Sequence, residues 1–265
     1  MNRATAEPPH LGTAGWKPST AWIAVTVGVL PGLVVSRVIV RDGGDPRIWV
    51  VLTLIVTTLV GLVVPIAAAG LHGRPSASDF GLRRPPLARA TALVVAVLVA
   101  TYALNAAWVV ALGLDDDSEN VLDRLSAGNT TLNAFLVVVL LAVATPLAEE
   151  FMFRGYFFRA MSNWRGVGPG VLIATVAFTA THVGWTPAGF LVPVAVFGLG
   201  LNLLYVWTGS LYPGLAMHAI LNSVSAIEVL EGWRIPVAIV VSVVTTLLIA
   251  RLIAGLLGGR PQVTG

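Results

Sequence analysis

Eight apolar runs divide the chain, at 22–40, 48–71, 89–113, 132–158, 168–185, 189–207, 212–228 and 235–257. Polar connections rich in Gly, Pro, Arg and Asp separate the first four, and Gly166–Pro169, Thr186–Pro187, Thr208–Pro213 and Glu231–Arg234 punctuate the rest. Runs one to four are each near or above the ~20 helical residues that cross ~30 Å of hydrocarbon at 1.5 Å per residue. The expected architecture is all-α: a polytopic membrane bundle of about eight transmembrane helices over residues 22–258. The polar, Pro-containing stretch 1–21 lacks a signal-peptide pattern and is expected to be a cytoplasmic tail, as is 259–265.

Composition narrows the class. The 265 residues are 56% hydrophobic and 11% charged, with a mean hydropathy of +0.85, whereas a soluble domain carries about 25% charge. Lipid must solvate much of the surface. The 16 Lys+Arg sort by side: with the N-terminus inside, Arg3, Lys17, Arg74, Arg83, Arg84, Arg89, Arg154, Arg159, Arg165, Arg251 and Arg260 share one face, eleven against five. That bias puts both termini in the cytoplasm. The arginines form no groove interleaved with aromatics, so nucleic acid is not an expected partner. No internal repeat is visible, which gives an inverted-repeat transporter no support. Without cysteine there is no disulfide, thiolate zinc site or Cys nucleophile, and a metal would rest on His, Glu and Asp.

Five ionisable side chains within the runs stand out: Glu149 and Glu150 in the fourth, His182 in the fifth, His218 in the seventh and Arg251 near the end of the eighth. Arg251 can snorkel to the interface. The others carry a cost of ~2.5–3.5 kcal/mol for a charge at mid-bilayer and so point to function. Glu150 and Arg154 are i,i+4 and share a helix face, while Glu149 is turned about 100° away and is left free. The same spacing pairs Phe178 with His182 and His218 with Asn222. At 1.5 Å per residue Glu149 lies ~14 Å from the cytoplasmic surface, His182 ~21 Å, His218 ~8 Å and Asn222 ~14 Å, so the four side chains can meet. A carboxylate that takes a proton from water, an imidazole that holds it, and His/Asn donors for an oxyanion make a hydrolytic set. Glu with two His is equally a first shell for zinc with a place for water. No Ser–His–Asp or GxSxG arrangement competes.

Glu149-Glu150-Phe151-Met152-Phe153-Arg154, then Phe178 to His182, then His218 to Asn222, resemble the ordered motifs EExxxR, FxxxH and HxxxN of the CPBP family, the CAAX proteases and bacteriocin-processing proteins, also called Abi. The motif core spans 130–225. The resemblance implies a hydrolase, an intramembrane endopeptidase like the type II CAAX prenyl endopeptidases, cleaving a peptide or protein that is membrane-associated or lipidated. By motif position Glu149 and His182 activate water, His218 and Asn222 stabilise the oxyanion, and Glu150 with Arg154 support them. Both a metalloprotease with one divalent ion such as zinc, held by Glu149, His182 and His218, and a metal-free mechanism are consistent with the family.

Each residue has a plainer role beside it. Glu150–Arg154 can be a buried pair that holds its helix in register, Phe178 packing, and Asn222 an amide that glues helices together. Asn202, Gly198 and Gly200 read as close helix packing. Asp115–Asp117 with Glu119 read as a solvated loop, His10 and His72 as solvated, and the eight tryptophans, Trp16 among them, as an interfacial belt. A non-catalytic scaffold or immunity protein of the same fold, or a proton-coupled transporter, are the alternatives.

Overall fold

Lipid offers no partner to a backbone amide, so each apolar run must satisfy its own N–H and C=O groups and folds as a helix. A computed structural model describes residues 14–28, 46–114, 131–183, 186–225 and 234–258, and eight helices lie among them. We label them α1 (18–28), α2 (Pro46–Gly70), α3 (Leu87–Leu112), α4 (131–165), α5 (Val167–Ala180), α6 (Leu191–Thr208, led by a 3-10 turn at Ala188–Phe190), α7 (Leu211–Ser225) and α8 (Arg234–Leu257). The all-α expectation holds. Among the described residues, four stretches are long and apolar enough to cross a membrane unaided: α3, Phe135–Arg165 of α4, Ala188–Thr208, and α8.

Two boundaries differ from the hydrophobicity pattern. α4 runs on past Phe158 to Arg165 because nothing stops it before Gly166, whose φ of +86° ends the helix at little steric cost. α5 stops at Ala180 although the apolar run continues to 185. Thr181 Oγ1 donates to the Phe178 carbonyl at 2.7 Å and closes the helix end. At 14 residues α5 reaches only ~21 Å, less than the hydrocarbon thickness.

α4 is the central element. In its most apolar stretch 61% of residues are buried, against 11% in α3, where Val95, Val99, Leu104 and Val110 face outward. α2 packs on α4 so closely that a Cβ at Gly61 would overlap the Cβ of Ala148, one residue before Glu149. Small residues allow such contact where lipid supplies no hydrophobic drive between helices and packing decides.

One end of the bundle gathers the cationic segments. The 71–86 loop docks there: Leu211 N donates to Gly81 O at 2.8 Å, Ser210 Oγ to Arg83 O at 2.6 Å, and Ala77 N to Gly258 O at 3.1 Å. Asn163 Nδ2 donates to Ala14 O at 2.6 Å, and Tyr156 OH to Thr20 Oγ1 at 3.1 Å. Trp16 is buried here against Phe80 and Tyr156, with ring centroids 5.0 and 4.8 Å away. It is therefore a core residue and not part of a belt. His72 bonds Thr20 Oγ1 at 2.9 Å and is not merely solvated. Asp115–Asp117, Glu119, Trp185, Trp233 and residues 1–13 and 259–265 lie outside the described residues.

Candidate active site

Pro146 shapes the helix that carries the two glutamates. It has no N–H, and its ring clashes with a carbonyl four residues back, so the regular pattern fails there. Just before it, Leu140–Ala144 widens into a π-turn in which Thr145 N–H bonds Leu140 O. A second π stretch, Glu150–Phe157, follows after the α-helical turn Thr145–Glu149 and is buried at every residue. Such widened turns often occur at functional positions.

Four charged or titratable side chains stand in line on this broken helix and α7. Arg154 Nη1 donates to Glu150 Oε1 at 3.0 Å, both side chains being fully buried. The same Oε1 lies 3.0 Å from His218 Nδ1. His218 Nε2 in turn faces Glu149 Oε2 at 3.7 Å. With Glu150 Oε1 accepting from the Arg154 guanidinium, the tautomer that completes the line carries the His218 hydrogen on Nδ1. In the neutral ring that leaves the Nε2 lone pair toward Glu149. The exposures divide the roles: the Glu149 side chain is 24% accessible and that of Glu150 0%, so water reaches one carboxylate and not the other.

The surrounding residues explain why the line is rigid. Arg154 Nη2 donates to Gly198 O at 3.0 Å, and its guanidinium lies 4.3 Å above the Phe178 ring. A Cβ at Gly198 would come within 2.8 Å of Phe178 Cδ1, and one at Gly214 within 2.9 Å of Glu150 Oε2. Bare backbone on α6 and α7 thus leaves room for the buried pair. Phe178 sits between the imidazoles, with centroids 4.8 Å from His182 and 6.5 Å from His218, while Phe197 edges His218 at 4.9 Å. Asn202 Nδ2 donates to Thr175 Oγ1 at 3.0 Å, a packing role as read from its sequence position.

Two of the residues singled out from the sequence make backbone contacts of their own. His182 lies in the turn beyond α5, where its Nδ1 caps the Phe178 carbonyl at 3.0 Å. Among the described residues no direct bond joins it to Glu149, and its Nε2 remains for water or a ligand. Asn222 Nδ2 donates to Leu141 O at 2.7 Å. Thr246, which sequence inspection passed over, approaches Ala142 O at 3.4 Å from α8. A signal for both was present in Pro146, since a proline within a membrane helix strands carbonyls that facing helices must satisfy.

The donor set does not suit the zinc ion that the resemblance allows. Among the described residues no three His, Asp or Glu side chains gather as a metal shell. Both ring nitrogens of His218 face carboxylates, and Arg154 already supplies the cation against Glu150.

Compared with known proteins, residues 131–224 match the family model for Type II CAAX prenyl endopeptidase Rce1-like proteins. The match takes in α4 to α7 and with them Glu149, Glu150, Arg154, Phe178, His182, His218 and Asn222. No curated protein and no solved structure matches the chain.

Proposed function

We propose that this multi-pass membrane protein, whose residues 131–224 match the Rce1-like model, is an intramembrane endopeptidase of the CAAX protease (CPBP) family. The observation that carries the proposal is the line Arg154–Glu150–His218–Glu149, in which only the last carboxylate is open to water. Glu149 takes a proton from water as the oxygen attacks the carbonyl carbon of a peptide bond. His218 Nε2, oriented through Nδ1 by Glu150, receives that proton and returns it to the departing amine as the C–N bond breaks. Once protonated, the same Nε2 can also donate to the oxyanion. His182, across the Phe178 ring, offers its free Nε2 as a second hold on the water. Motif position gives Asn222 a share in the oxyanion, but one of its two amide hydrogens is already given to Leu141.

The proposed reaction needs no metal, in keeping with the donor geometry. Its substrate is a peptide segment of a membrane-associated or lipidated protein. An apolar cavity of about 450 Å³, lined by Ile55, Leu59, Ala144, Leu147 and Ile249, lies beside α4 and suits an apolar segment of such a substrate. The cationic end of the bundle faces the cytoplasm in this proposal, by the positive-inside rule.

Incubating detergent-purified protein with a peptide library and reading products by mass spectrometry tests the activity. Discrete internal cleavages that persist in the presence of a chelator are expected. Loss of cleavage on chelation with recovery on added zinc would contradict the metal-free step. Proton-coupled flux in proteoliposomes without any cleavage would favour a transporter that uses the same Glu/His set as a relay.

A further inference from the structure

α4 is interrupted by a residue that cannot donate, and the interruption leaves one carbonyl without a partner in its own helix. Thr145 N–H, the regular i+4 donor for Leu141 O, is diverted to Leu140 O by the π-turn. The next donor, at i+5, would be Pro146, which has none. A carbonyl stranded this way inside a membrane protein is costly. The neighbouring Ala142 O loses its i+4 donor to the same proline.

Both carbonyls are met by side chains from other helices, Leu141 O by Asn222 Nδ2 at 2.7 Å and Ala142 O by the buried Thr246 hydroxyl at 3.4 Å. Asn222 is one turn from His218 on α7. That single turn therefore grips α4 at two points on either side of the break: Leu141 through Asn222 and Glu150 through His218. Leu141 lies eight residues before Glu149, about 12 Å along the axis, so the Asn222 bond is made well away from the carboxylate pair.

We infer that Asn222 is a positioning residue: its bond to Leu141 O fixes the winding of α4 across Pro146 and so sets Glu149 against His218. That bond takes one of its two amide hydrogens, and its effect on catalysis runs through α4. The inference rests on Glu149 being the base, and it deepens that proposal by assigning the third motif a structural target.

A double-mutant cycle on the full chain tests it. Asn222→Ala is made in the native background and in Pro146→Ala, where the restored N–H lets α4 bond its own carbonyl. In the native background kcat falls about 10–100-fold with KM nearly unchanged, as for a misplaced catalytic group, and the melting temperature drops. In the Pro146→Ala background the same substitution costs less than about threefold in kcat and less than half the melting shift, because the two sites are coupled. An equal kcat loss in both backgrounds would mean that Asn222 acts on the substrate, and would overturn the inference. So would an equal drop in melting temperature. The melting arm reads even if no peptide is ever cleaved, which separates failure of this inference from failure of the peptidase proposal. Should Pro146→Ala not accumulate, Pro146→Leu restores the same N–H with more bulk.

Discussion

Arg154 has three tasks at once: it pairs with Glu150, donates to the Gly198 carbonyl and covers the Phe178 ring. Arg154→Ala therefore leaves a buried carboxylate without its cation, and a stability loss of ~3–5 kcal/mol is expected, measured by thermal or denaturant unfolding in detergent. Glu150→Gln should also destabilise, and it removes the acceptor that keeps the His218 hydrogen on Nδ1, so activity falls with stability. Equal stability of these variants and the native chain would disprove the supporting role. The Glu150–Arg154 pairing was legible in the sequence, because i,i+4 spacing survives the wider winding of this stretch. What spacing could not give was the identity of the residue that Glu149 faces. Depth along the bilayer put His182 and His218 on equal terms, and only the lateral packing of α7 against α4 separates them. The Asn222 contact was hidden for the opposite reason: its motif drew attention to the site, whereas its partner is a backbone carbonyl exposed by Pro146.

At the scale of helices, close approach is the feature that positions the site. Gly61→Val would drive α2 away from α4 at Ala148, next to Glu149, and Gly198→Ala would press on Phe178 and the guanidinium above it. Overpacking of this kind costs ~1–3 kcal/mol. Both variants are expected to melt earlier, and Gly198→Ala to lose more activity than stability because it moves Phe178 between the two imidazoles. A Gly198→Ala protein with native turnover would count against that placement. The number of helices follows from the hydrophobic runs, since lipid forces each to close its own hydrogen bonds. Their lengths do not follow so simply. The apolar residues after Ala180 look like more helix, and only the Thr181 and His182 side chains, competing for the Phe178 carbonyl, reveal the stop. The two π stretches leave no mark on hydropathy at all.

For the whole molecule, segments distant in sequence meet at one charged end, where the 71–86 loop, Ala14–Thr20, the end of α4 and the last turn of α8 are bonded together. The Lys+Arg distribution predicts this end to be cytoplasmic. The native chain has no cysteine, so single cysteines report cleanly: Arg74→Cys should react with an impermeant thiol reagent from the cytoplasmic side and Asp117→Cys from the other. Reversed labelling would invert the assigned topology. The arrangement of charge places a water-accessible carboxylate, backed by an oriented imidazole, inside a bundle whose outer helices face lipid. Its chemistry stands or falls on that carboxylate. The decisive measurement is peptide cleavage by Glu149→Gln beside the native protein, with melting temperatures recorded on the same preparations. A loss of about 10²–10⁴-fold in kcat at unchanged melting temperature is predicted, the scale of one general base; cleavage by Glu149→Gln within tenfold of the native rate would contradict the mechanism.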